Sequence, residues 1–484
     1  MGLKNLFQDF KFYGIVDFLQ RSVGVIMIPY YTRVLSTADY GNFDLFIIVS
    51  STLLVLIDFQ FIAALNRLFY EYAKIAKDKR LIGTILMFRL FIGIVIGSLT
   101  LFLGNSGFLE FKFIPSFIEY KYIWILIVFL PIVTSCYDGL IAHSRIIRSK
   151  QIFSIISFAS IITSASLAVL LLEFYNLGIT GILVAMILGK SIAIIIGFIL
   201  IGKQIDFCID LKILKSIFSY SLPLVPSWWF AFLTTYFGRF FTYSELGPEK
   251  SAVLAITMKL LLLINFFALA FRSAWLPIAM SYIGEDNEDN FYINSNRVLL
   301  ISLMSMSVIL ILSIDIIVDI ALPPEYFMVG LIFPIFITSS IISEVEVNLQ
   351  LGCQIAKKTI WISIGSFVSF VVSVLILYLL VPLYNLYAIG LSLLFGSVVK
   401  IIITYIASQK NRFIEYDFKS MFLFVLGISV ILVYAILNNF SIVSGTLLKL
   451  MLCIFGVLFL VKTINKHEFL LFYHRIIKYI NRID

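Results

Sequence analysis

The chain has 484 residues, 61% of them hydrophobic and only 13% charged, with a net charge of +8 and a mean hydropathy of +1.05. Soluble domains carry about 25% charged residues, so the composition excludes an ordinary soluble enzyme and describes a polytopic membrane protein. At about 20 apolar residues per crossing plus a connector, this length accommodates about fourteen spans, and the expected fold class is an all-α integral membrane protein.

The N-terminal "MGLKNLFQDFKFYG" leads into an apolar run too long and too charged for a signal peptide, with no small-residue cleavage pattern, and is read as an uncleaved first span. Leu6 stands where a myristoylation signal needs Ser or Thr. The predicted spans are 12–34, 43–66, 81–103, 121–143, 152–172, 179–201, 217–237, 252–271, 298–320, 327–349, 359–381, 386–407, 420–437 and 446–461. Within the first, Asp17, Gln20 and Arg21 fall on one helix face. A charge at the hydrocarbon centre costs at least about 2.5 to 3.5 kcal/mol, so that face is expected to meet a bundle interior or a wet cavity.

Fourteen spans place both termini on one side. Loops and tails on that side hold 25 Lys and Arg against about 4 on the other, counting Lys121 at the first position of its span, which makes both termini cytoplasmic by the positive-inside rule. Seven basic residues remain within spans: Arg21, Arg33, Arg89, Lys190, Lys259, Lys400 and Lys449. Arg33 and Lys449 lie near outer ends, where their side chains snorkel, and Arg89, eight residues into its span, has the same option. The positive charge is thus mostly topology, and no loop is long enough for a nucleic-acid-binding domain. The tail 466–484 alternates basic and aromatic residues, as an amphipathic helix on an anionic leaflet would. The four cysteines show no CxxC spacing, so neither a disulfide framework nor a metal site is expected.

An internal repeat runs through the chain. "SIISFAS" at 154–160 returns as "SIGSFVS" at 363–369, and the same offset of 209 takes Ser164 to Ser373, "YNL" at 175–177 to "YNL" at 384–386, and Gly181 to Gly390. Six spans per copy make the two copies parallel, a transporter architecture. The expected organisation is a six-helix lobe over 1–210, a second over 211–410, two additional helices over 411–465, and the tail.

Three segments, "IPYYTRVLSTADYGNFDLF", "YSLPLVPSWW" and "FRSAWLPIAMSY", resemble the bacterial polysaccharide-exporting flippases. These are the O-antigen and capsule repeat-unit (Wzx-like) flippases of the multidrug/oligosaccharidyl-lipid/polysaccharide superfamily. The resemblance implies two six-helix lobes, a central cavity and alternating access for an undecaprenyl-diphosphate-linked oligosaccharide in the bacterial cytoplasmic membrane. It implies no enzyme activity and no cofactor beyond a coupling Na+ or H+. Its expected partners are the lipid-linked substrate, membrane lipid and other polysaccharide-assembly proteins, with the chain itself a monomer. Pro29, Pro223, Pro226 and Pro277 lie in or beside these segments, where they bend helices or mark their ends.

A lipid diphosphate needs cations, which Arg supplies as a fork and Lys as a point charge. The substrate-binding candidates are Arg21, Arg272, Lys190, Lys259 and Lys400, with Lys190 and Lys400 one position from repeat equivalence. The resemblance favours the cations of spans 1 and 8. It also implies one in span 2, where this chain has Asp58 in mid-span and Arg67 at the edge. Asp17, Asp58, Asp138, Glu344 and Glu346 are the ion-coupling candidates, since intramembrane carboxylates bind coupling ions or pair internally with residues such as Arg21 or Arg145. Trp228, Trp229, Tyr236, Trp275, Tyr30 and Tyr31 are placed either to stack on sugars or to form interfacial belts. The competing functions are a lipid II flippase, a multidrug extruder of the same superfamily and, from another class, a membrane glycan polymerase or ligase. The last is disfavoured by the lack of a large outside loop and of a nucleophile motif.

Overall fold

Thirteen of the fourteen predicted spans coincide with helices, and 446–461 falls almost wholly outside the described residues, as does the 466–484 tail. The computed structural model describes residues 3–105, 121–281, 288–356, 358, 360–439, 449 and 456. Among these, ten helical segments are long and apolar enough to cross a membrane. The chain is thus an all-helical, multi-pass membrane protein.

The described residues pack as two compact units, Asp9–Ala252 and Val253–Asp484, the second including Met1–Gln8. This division follows contacts, whereas the expected boundary near 210 concerns duplication, so the two describe different things. The helices of the first unit are α1 (Leu3–Ile26), α2 (Ile28–Val34), α3 (Thr37–Asp58), α4 (Phe61–Ala73), α5 (Asp78–Asn105), α6 (Lys121–Ile146), α7 (Lys150–Glu173), α8 (Gly178–Ile201), α9 (Leu211–Ser221) and α10 (Val225–Leu246). Then follow α11 (Pro248–Leu260), where the units divide, α12 (Leu262–Ser281), α13 (Glu288–Ala321), α14 (Met328–Leu349), α15 (Leu351–Ile355), α16 (Ile360–Tyr384), α17 (Leu386–Asn411) and α18 (Phe418–Asn439).

Local chemistry explains several of the ends. Ser36 caps α3 by accepting from the Asp39 amide, and Asp210 caps α9 by accepting from the amides of Lys212 and Ile213. The predicted second span is broken. Phe59 and Gln60 both adopt left-handed backbone conformations, with φ of 42° and 59°, so α3 stops at Asp58 and α4 starts anew at Phe61. The predicted seventh span, 217–237, is also displaced. The Pro223 and Pro226 region separates α9 from α10 by a single 3-10 turn, and α10 runs on to Leu246. That extension carries Arg239 to the buried Asp44, with which it pairs. The stretch 272–297 between the eighth and ninth predicted spans is largely helical at both ends. Tyr292 Oη donates to the Ala279 carbonyl at 2.9 Å, and Arg297 pairs with Asp417 at 2.9 Å.

The two "YNL" segments occupy corresponding hairpins. α7–α8 and α16–α17 each carry a positive φ at the Asn of "YNL", 51° at Asn176 and 49° at Asn385, although ψ of −127° puts Asn385 outside the left-handed helical region. In each hairpin a glycine lets the backbones meet. A Cβ on Gly189 would lie 2.0 Å from Ser164 Oγ, and one on Gly396 would lie 2.1 Å from Ser373 Oγ, the repeat equivalent of Ser164. Two copies of one packing solution persist in the two units.

Candidate functional site

In the first unit, the break after α3 leaves Asp58 at a helix C-terminus inside the protein. Arg89 on α5 meets it, with Nη2 2.8 Å from Oδ1. Arg89 is only 1% exposed, so it does not take the snorkelling option that its position left open. Its presence could have been read from the mid-span Asp58, which demands a buried partner. The Nε and Nη1 donors of Arg89 are buried and make no hydrogen bond. Asp138 on α6 lies within electrostatic reach of Lys190, Arg89, Asp58 and Arg145. Lys190 on α8 donates from Nζ to Thr134 Oγ1 at 2.7 Å and stands 5.9 Å from the centre of the Tyr137 ring. Tyr137 Oη in turn accepts from Gln20 Nε2 at 3.0 Å.

Asp17 is held by Arg145, whose Nη2 lies 2.7 and 2.9 Å from its two oxygens, so of the sequence alternatives Arg145 is its partner and Arg21 is not. Arg21 itself is exposed and forms no ion pair among the described residues.

A cavity of about 410 Å³ opens beside this network, between α10 and helices α3, α5 and α6. One wall carries Asp58, Arg89 and Asp138, and the other carries Trp228, Phe232 and Tyr236. The three rings are four residues apart and share one face of α10. Phe232 and Tyr236 stack with centroids 4.5 Å apart, and the Arg239 guanidinium lies 5.4 Å from the Tyr236 ring. α10, which restarts after the 3-10 turn at Pro223, carries Trp228 and Tyr236, both flagged by the sequence, to a cavity wall. Phe232 went unnoticed because Phe is abundant in this chain, with 47 occurrences.

The second unit holds the other five candidates. Glu344 on α14 pairs with Arg272 on α12 at 3.2 Å, and Glu346, fully buried, pairs with Lys400 on α17 at 2.9 Å. Neighbouring polar contacts join Ser340 to Asn265 at 2.6 Å and Asn348 to Asn296 at 2.9 Å. Lys259 occupies the last turn of α11. The Lys400–Glu346 pair is the repeat counterpart of the Lys190 and Asp138 neighbours, as the offset of 209 requires to within one residue. Trp275 is buried against Phe291, Tyr292 and Leu351, stacked on Phe271, so it is a core residue of this unit and not a free stacking surface. Among the described residues no group of three His, Cys, Asp or Glu side chains is arranged to hold a metal.

Helices broken within spans and buried cation–carboxylate pairs occur in both units of this multi-pass membrane protein. Comparison with solved structures agrees on the fold. The chain is similar to the lipid II flippase MurJ in an inward closed conformation, with a TM-score of 0.70 and 12% identity over 93% of this chain and 97% of that one. It is similar to a mutant of the Vibrio cholerae MATE transporter VcmN, with a TM-score of 0.54 and 14% identity over 84% and 96% of the respective chains. A transporter of the MOP superfamily from Pyrococcus furiosus matches with a TM-score of 0.52 and 15% identity over 82% of this chain and 93% of that one. The chain belongs to the polysaccharide biosynthesis protein family, whose model matches residues 6–283. No curated protein matches it.

Proposed function

We propose that this chain is a flippase that carries undecaprenyl-diphosphate-linked oligosaccharide repeat units, of O-antigen or capsule type, across the bacterial cytoplasmic membrane. It works by alternating access and is coupled to Na+ or H+. Both termini lie in the cytoplasm, and the protein acts as a monomer alongside other polysaccharide-assembly proteins. It is a transporter and not an enzyme.

The observation that carries this reading is the division of labour among the span cations. Arg89, Arg272 and Lys400 are each committed to a carboxylate, whereas Arg21 is exposed in mid-span with no carboxylate on it. An uncommitted guanidinium at that depth is expensive unless it serves an anion, and its fork matches the oxygens of a diphosphate. Arg272, Lys190, Lys259 and Lys400 are the reserve cations, available when substrate competes with their present partners. The carboxylates Asp17, Asp58, Asp138, Glu344 and Glu346 are the candidate ion-coupling groups. Substrate and ion act by binding the inward-open and outward-open states unequally.

The test is reconstitution into liposomes with a fluorescent undecaprenyl-diphosphate oligosaccharide, scoring its movement between leaflets with and without Na+ and pH gradients. Protein-dependent movement that one gradient stimulates supports the reading and identifies the ion. Glycan lengthening without movement would favour the polymerase class, and equal movement of lipid II would favour that substrate.

A further inference from the structure

The cavity of the first unit has a chemistry that a diphosphate does not explain. Its polar wall carries one guanidinium and two carboxylates, so it offers an entering anion no net positive charge. Its opposite wall is a stripe of three aromatic rings. We propose that this cavity is a sugar subsite, which takes one or two rings of a neutral glycan while the lipid diphosphate is held elsewhere. The inference rests on the flippase reading and adds to it where the oligosaccharide is recognised.

Three observations carry it. A pyranose has two kinds of surface, a C–H face that packs on aromatic rings and an edge of hydroxyls that both donate and accept. The cavity offers the matching pair, with Trp228, Phe232 and Tyr236 facing Asp58, Arg89 and Asp138. The carboxylates accept from hydroxyls, and Arg89 donates to them. Next, Arg89 is 1% exposed, yet its Nε and Nη1 have no acceptor among the described residues. Buried donors are normally satisfied, and a hydroxyl-bearing ligand supplies what they lack once the Arg89 side chain turns toward the cavity it lines. Finally, the size fits. A volume of about 410 Å³ lies toward the small end of ligand pockets, roughly 300 to 1,000 Å³, which suits one or two rings and not a whole repeat unit.

Charge selects the ligand further. Asp58 is already paired with Arg89, and Asp138 has Lys190 as an electrostatic neighbour. The wall is therefore close to neutral, and a neutral hexose or N-acetylhexosamine suits it better than a uronic acid or an amine.

The experiment measures equilibrium binding to the full chain in nanodiscs with two probes: undecaprenyl diphosphate bearing a single N-acetylhexosamine, and the same lipid bearing a neutral trisaccharide. Wild type is expected to bind the trisaccharide lipid about tenfold tighter, the scale of one or two ring-stacking contacts. Trp228→Leu and Phe232→Leu keep apolar bulk but remove a ring face, and each is expected to bring that preference to within about twofold while leaving the single-sugar constant unchanged. The double variant Asp58→Asn/Arg89→Gln removes both charges together, strands neither, and is expected to do the same.

No preference in wild type overturns the subsite, as does a preference that survives all three variants, which would mean that water alone fills the cavity. Equal weakening of both probes also overturns it, since that reports general packing. Wild type that binds through Trp228 yet moves no lipid in liposomes overturns the flippase reading and leaves the subsite standing. Binding of neither probe overturns both.

Discussion

Replacing Arg89 by Ala is the sharpest test of how the first unit is held together. Its guanidinium is 1% exposed and lies 2.8 Å from Asp58, whose side chain is 12% exposed. At an effective dielectric of about 20, two unit charges at that separation attract by about 6 kcal/mol. Desolvation of both groups offsets much of this, so the intact pair adds little net stability. Truncating one partner is different, because Asp58 stays buried without its counter-charge. Arg89→Ala is expected to cost about 3 to 5 kcal/mol. The double variant Asp58→Asn/Arg89→Gln preserves shape without charge and is expected to fall within about 1 kcal/mol of wild type. The assay is reversible unfolding in mixed micelles, followed by helical circular dichroism, with both single variants completing the cycle. If Arg89→Ala unfolds with wild-type stability, the pair is solvated and the argument from burial fails.

Three further outcomes follow from particular residues. Arg21→Ala is expected to lower liposome transport by more than about tenfold at unchanged abundance, with Arg21→Lys retaining part of the activity; wild-type transport in Arg21→Ala would remove it from the substrate path. Gly396→Ala and Gly189→Ala are each expected to destabilise by about 1 to 3 kcal/mol through overpacking. Ser373→Ala should rescue the first better than Ser164→Ala rescues the second, because a Cβ on Gly189 also meets the Ser164 nitrogen at 2.7 Å and the Ser160 carbonyl oxygen at 2.8 Å; equal rescue in thermal unfolding would contradict this geometry. At Asp417, burial pushes the carboxyl up, but hydrogen bonds from Ser420 and Arg297 outweigh it and hold the group below its usual value. Its stabilisation is thus full above the unfolded value near 3.8 and is lost as pH falls through the lower folded value. Wild type should lose more melting temperature on acidification below about pH 4 than Asp417→Asn does, and parallel pH profiles would refute the assignment.

What the sequence made legible were features whose cause is local. Apolar length marked the spans, and "YNL", recurring at the offset of 209, marked two corresponding connectors that each hold an Asn at positive φ. Pro223 and Pro226 announced a discontinuity. The break after Asp58 had no such signature, since Phe59 and Gln60 are neither Gly nor Pro and are held in left-handed conformations by their surroundings. Pairing was harder still. The Arg239–Asp44 pair escaped the sequence because its members are 195 residues apart, and snorkelling stayed an option for Arg89 because nothing near it in sequence is acidic.

A general constraint was nevertheless available: a mid-span carboxylate without a nearby cation requires one from another helix. Applied to Asp58, that rule points to α5 or α6, whose spans hold Arg89 as their only mid-membrane cation. Applied to Glu346, it points to Lys400, as the repeat offset does on separate grounds. The same rule leaves Arg21 without an acid among the described residues once Arg145 has taken Asp17. Matching acids to bases therefore separates the charges that hold the fold from Arg21, which the proposed function assigns to the substrate.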